Sequence, residues 1–87
     1  MPDLIEQRVI GYIAGWYCLS ADSLSAGTTF ESIGIIAATG ALLNIIMELE
    51  DSFSLTYVDG DTKGIVTIGD AVALIKRKLG IAASKGA

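Results

Sequence analysis

Leu42-Leu43-Asn44-Ile45-Ile46-Met47-Glu48-Leu49-Glu50-Asp51-Ser52-Phe53 is the stretch whose periodicity decides the fold class. Leu42, Ile45, Ile46, Leu49 and Phe53 recur at helical spacing, so one face of a helix is apolar and must be buried. Leu43 and Met47 form a second stripe off that face, expected near solvent. Glu48, Glu50 and Asp51 crowd the last turns, where carboxylates oppose the macrodipole at a cost of about 0.3–1 kcal/mol each when exposed. A local rule broken repeatedly at one place often marks function, with a merely solvated acidic face as the plain alternative.

Upstream of this helix, Ile5, Val9, Tyr12, Ile13 and Trp16 share one stripe of a first helix. It is expected to begin at Pro2 or Asp3 and to give out between Tyr17 and Ser20. Gly11, Ala14 and Gly15 leave its opposite side small. A polar loop from Ser20 to Thr29 follows, with Leu24 and Phe30 expected as core anchors. Downstream, Asp59-Gly60-Asp61 is a turn signal, and a short helical piece is expected between Asp61 and Val66. Thr67 then opens a last helix as N-cap, with Asp70 three residues on, close to a capping box. Ile68, Val72, Ile75 and Leu79 mark its buried face. Lys76, Arg77 and Lys78 complement its C-terminus, and Gly80 suits a left-handed stop. The pattern predicts an all-α, four-helix bundle of three long helices and one short, occupying residues 1–80, with a flexible tail over 81–87.

Eighty-seven residues make one domain, and the 52% apolar and 18% charged composition is that of a folded chain. A net charge of −4 argues against nucleic acid, which needs a cationic face, and favours basic partner surfaces. There is no histidine, so the commonest catalytic base and metal ligand is missing. Cys18 is the only cysteine, which excludes an internal disulfide and suits a reducing cytosol. It is expected as a half-buried helix-end thiol without a neighbouring base. No apolar run reaches the roughly 18 residues of a membrane span, and the acidic start lacks the basic front of a secretory signal. A soluble cytoplasmic domain is expected. Enzymatic activity is not: the sequence offers no triad, paired cysteines or glycine-rich phosphate loop. Nor is a metal site, since Asp59-Gly60-Asp61 lacks the spaced ligands of a calcium loop.

Four segments in order, Ile5-Glu6-Gln7-Arg8-Val9, Asp22 to Phe30, Asn44 to Phe53 and Val66 to Ile75, make the chain resemble the acyl and peptidyl carrier proteins from residue 4 to 79. The resemblance implies a helical bundle that carries phosphopantetheine on a serine at the head of the second helix. It implies biosynthetic enzymes and a phosphopantetheinyl synthase as partners. The attachment motif is degenerate here. Where the family has aspartate-serine-leucine after the glycine matching Gly34, this chain reads Gly34-Ile35-Ile36-Ala37-Ala38-Thr39-Gly40. Counting back from Asn44 and Phe53 puts Thr39 at the serine position, Ala38 at the aspartate and Gly40 at the leucine. Counting forward from Gly34 lands on Ala37, so the junction carries an insertion. A literal Asp22-Ser23-Leu24 occurs earlier, but Gly27-Thr28-Thr29 follows too soon for a long helix.

The synthase needs a hydroxyl at a helix N-terminus, where amide dipoles tolerate a phosphate. Thr39 offers a secondary hydroxyl on a branched, stiffer side chain. It is either the attachment site or an ordinary N-cap or helix threonine. One expectation is therefore a free-standing carrier of acyl or aminoacyl thioesters in fatty-acid, polyketide or nonribosomal-peptide-type biosynthesis. Its partners would dock on Leu43 and Met47, with Glu48, Glu50 and Asp51 meeting a basic rim. The alternative is an adaptor or regulatory domain without the prosthetic group that uses the same surface. Ile10, Trp16, Ile35 and Ile36 exceed what one small core is expected to take, so an apolar interface or self-association is also open.

Overall fold

The computed structural model describes residues 3–58 and 60–80. The expectations placed on Pro2, Asp59 and the tail 81–87 lie outside the described residues. Three α-helices occur among the described residues: α1 (Leu4–Tyr17), α2 (Ala41–Ser52) and α3 (Ile68–Leu79). Single 3-10 turns at Ala21–Ser23, Glu31–Ile33 and Ala37–Thr39 punctuate the long connection between α1 and α2.

Asp3 starts α1 as a true N-cap. Its side chain accepts from the backbone N–H groups of Ile5 and Glu6 at 3.0 and 3.1 Å, relieving two of the donors that a helix start leaves unpaired. The same carboxylate pairs with Lys76 near the end of α3, tying the start of α1 to the last turn of α3. At the other end of α1, Cys18 takes the left-handed C-cap conformation at φ 55° and is exposed, where a half-buried thiol was expected.

The core follows the periodicity closely on α2, where Leu42, Ile45, Ile46, Leu49 and Phe53 are all buried. On α1, Val9, Ile13 and Ala14 are buried, while Trp16 at the end of the expected stripe is 41% exposed. On α3, Ile68, Ala71, Val72, Leu74 and Ile75 are buried, but Leu79, expected there as the last residue of the stripe, is exposed. Leu24 and Phe30 anchor the loop in the core as expected. Ile35 joins them, and Ile10 and Ile36 are half-buried.

The α1–α2 connection is stitched to the head of α3 through backbone bonds. Phe30 N donates to Val66 O at 3.0 Å, Ile68 N to Thr28 O at 2.9 Å and Gly69 N to Ala26 O at 2.8 Å, around an isolated antiparallel bridge between Thr29 and Thr67. The capping box is formed in full: Asp70 N donates to Thr67 Oγ1, and Thr67 N donates to Asp70 Oδ2. Those backbone donors, Thr67 first and then Val66, hold the Asp70 carboxyl below the usual range. Gly80 closes α3 in the left-handed region.

The short fourth helix is not formed. Residues 60–64 make successive turns, bounded by Gly60 and Gly64 at φ 93° and 79°, which no right-handed helix accommodates. Asp61 turns inward instead, accepting from Val58 N at 2.8 Å.

Candidate functional site

The chain approaches α2 through a tight corner. Ile35 N donates to Phe30 O at 2.9 Å, and the Ile35 side chain is swallowed by the core. The turn Ala37–Thr39 then brings the backbone to the helix head, where Gly40 is the N-cap at φ 84° and ψ −3°. Thr39 is therefore not the N-cap of α2 but the last residue of the 3-10 turn that precedes it. It sits exposed in the turn before the cap, its Oγ1 donating to Ile36 O at 2.8 Å.

Gly40 has no side chain to cap α2, and the first turn holds no acidic residue, so the positive end of the helix is uncompensated beside Thr39. A mostly apolar cleft of about 300 Å³ is lined among others by Phe30, Ile35, Ile36, Ala38, Ile65 and Val66, with Glu31 as its one charged wall residue. These residues fit a phosphopantetheine arm in two respects. An anion on the Thr39 oxygen would lie at a bare helix N-terminus, and the apolar wall can cover the arm. The fit is looser in a third, because Ala38 leaves no carboxylate beside the hydroxyl.

Farther along α2, Leu43 and Met47 are 38% and 44% exposed, forming the outward stripe that the spacing predicts. Glu48 and Asp51 are exposed beside them. Glu50 is not: at 1% exposure it cannot serve the acidic docking rim on which it was expected. One turn beyond Ile46, it belongs to the buried stripe. Lys78 of α3 donates to Glu50 Oε2 at 2.5 Å, to Thr56 O at 2.7 Å and to Asp61 Oδ2. Desolvation pushes the Glu50 carboxyl above its usual range despite this partner. Desolvation pulls in the same direction on Asp61, but the bonds from Lys78 and Val58 N–H outweigh it and hold Asp61 low. Desolvation likewise disfavours charged Lys78, yet its two carboxylate partners raise its pKa.

This cluster was missed in the sequence. The signal was available for Glu50, which lies four residues after Ile46 on the core face. No spacing rule could pair it with Lys78, 28 positions away.

A second wall of the α2 surface comes from α1. Trp16 and Tyr17 stand across from Asn44, Ile45 and Glu48 around a groove of about 290 Å³. On the other side of Asn44 and Glu48, a shallow depression reaches Met47, Asp51, Leu55 and Tyr57. Among the described residues no helix is long and apolar enough to cross a membrane.

No family model matches the chain. A protein of Exiguobacterium sp. named "Acyl carrier protein" is 42% identical over 38 residues, covering 44% of this chain and 48%, about half, of that relative. Another of the same name from Lactobacillus acidophilus is 32% identical over 76 residues, covering 87% of this chain and 94% of that relative.

Proposed function

The chain belongs to the acyl carrier protein family, and from that premise we propose that it is a free-standing cytoplasmic carrier whose phosphopantetheine is attached at Thr39. The observation that carries this reading is the exposed Thr39 hydroxyl before the bare N-terminus of α2, beside an apolar cleft. When bound, the group supplies a thiol that holds an acyl or aminoacyl cargo as a thioester. The protein's own residues do the rest. Thr39 offers the attachment oxygen once its hydroxyl leaves the Ile36 carbonyl. The free N–H groups of the first turn of α2 stabilise negative charge on that oxygen's substituent. Ile36, Ala38, Ile65 and Val66 form the wall along which the arm can lie. Leu43 and Met47, flanked by Glu48 and Asp51, form the docking surface for biosynthetic enzymes and for the synthase, a layout that favours fast, weak, electrostatically guided association.

Three features of Thr39 favour a second reading, an adaptor without the group that docks through the same α2 surface. The Thr39 hydroxyl is secondary, is already hydrogen-bonded within its own turn, and has alanine where the family has aspartate.

The deciding experiment is intact-protein mass spectrometry after incubation with coenzyme A and a broad-specificity phosphopantetheinyl synthase, with fragmentation to locate the adduct. An adduct at Thr39, absent in Thr39→Val, supports the carrier. No adduct, with a serine-bearing carrier protein modified in the same tube, moves the function to the adaptor. An adduct at Ser23 overturns the placement of the site.

A further inference from the structure

The groove between the end of α1 and the middle of α2 holds a set of groups that the fold itself leaves unused. Trp16 is 41% exposed although it is the largest side chain in the protein. Tyr12 covers one face of its ring, stacked at 5.5 Å between centroids and 11° between planes. The indole therefore has one supported face and a second turned to its surroundings. Glu48 lines the same groove. The ion pairs formed among the described residues are Asp3–Lys76, Glu50–Lys78 and Asp61–Lys78, so Glu48 has no cationic partner there. The last turn of α1 carries no basic residue either, leaving the negative end of its macrodipole uncompensated. A carboxylate, a helix C-terminus and an aromatic face all favour a cation.

Two turns back, the protein satisfies the same chemistry internally. The Arg8 guanidinium lies 4.6 Å over the Phe53 ring and donates to Tyr12 Oη at 3.0 Å. The row Arg8–Tyr12–Trp16 thus begins with an arginine on an aromatic and ends with an aromatic that lacks one.

We propose that this groove seats an arginine side chain of the docking partner, its guanidinium stacked on Trp16 and paired with Glu48. The proposal rests on the reading of α2 as a docking surface and adds α1 to it. Arginine suits the seat better than lysine because a planar guanidinium can stack on the ring while its edge donates to the carboxylate. A nucleic-acid base would also stack, but its phosphates would meet a surface of net charge −4.

Trp16 is the only tryptophan, so its emission reports on the groove directly. The probe is a tryptophan-free amphipathic helical peptide bearing arginines on its polar face, compared with versions carrying lysine or uncharged citrulline. The arginine peptide is expected to change Trp16 emission saturably, the lysine peptide to bind about fivefold more weakly, and the citrulline peptide not to bind. With a fluorescein-labelled peptide read by anisotropy, Glu48→Gln and Trp16→Leu each weaken binding about fivefold, and Trp16→Phe recovers part of the loss, with helicity retained. Equal binding of the arginine and lysine peptides, or full binding by Trp16→Leu, overturns the arginine seat. So does a concentration-dependent emission change without peptide, which would make a second copy the occupant. If Met47→Glu abolishes binding while Trp16→Leu retains it, the docking reading stands and this inference falls. If Met47→Glu binds as well as the unaltered protein, the docking reading itself falls.

Discussion

Lys78 holds two carboxylates, one from α2 and one from the turn before α3, and is the residue on which most of the buried polar structure depends. Removing one partner of a buried pair leaves the other charge uncompensated, so Lys78→Met is expected to cost about 3 kcal/mol in chemical denaturation. Glu50 answers differently. Its pKa is raised by desolvation, so the native state binds its proton more tightly than the unfolded chain does. Stability must then fall as pH rises through the window above the ordinary value of 4.5. Glu50→Gln removes that loss: relative to the unaltered protein, its Tm should improve as pH rises above the ordinary value of 4.5. A Tm difference that moves the other way over this range would show that the ion pair outweighs the burial.

At the scale of the element, the two helix heads that matter are built in opposite ways. The head of α3 is fully capped, with Thr67 and Asp70 exchanging hydrogen bonds. Thr67→Ala should cost about 1 kcal/mol by urea denaturation. Because the Asp70 carboxyl is held low, its contribution is present above the ordinary value of 3.8 and is lost as pH falls through its folded pKa. The head of α2 is bare, turned by a glycine at φ 84°. Gly40→Ala places a Cβ in the left-handed region at a cost of about 1 kcal/mol. In the carrier reading it should also slow modification at Thr39, because the turn that presents the hydroxyl must shift; mass spectrometry against time reads this directly. A capped head suits a helix that only packs, whereas a bare head keeps its N–H groups for an anion.

At the scale of the whole molecule, the bundle leaves an apolar and acidic stripe along α2, with the aromatic end of α1 beside it. A surface that binds without stabilising the fold can be altered without unfolding it. Met47→Glu is therefore expected to weaken binding of the synthase while leaving helicity and Tm nearly unchanged, since Met47 is 44% exposed. A large drop in Tm instead would place Met47 in the core and remove it from the docking surface.

The sequence by itself determined the three long helices, the capping box at Thr67, the core faces of α2 and α3 up to Ile75, and the outward stripe of Leu43 and Met47. These depend on neighbours within a few residues, where helical period and capping chemistry act directly. Register against the carrier family put Thr39 at the serine position, and the structure sets that residue in the 3-10 turn just before the Gly40 cap of α2. Tertiary structure alone decided that Glu50 meets Lys78 and that Trp16 stands outside the core across a groove from Glu48. Both outcomes depend on groups far apart in the chain. A helical pattern shows which side chains share a face, whereas the helices packed against that face decide which of its edge positions are covered and which charges meet.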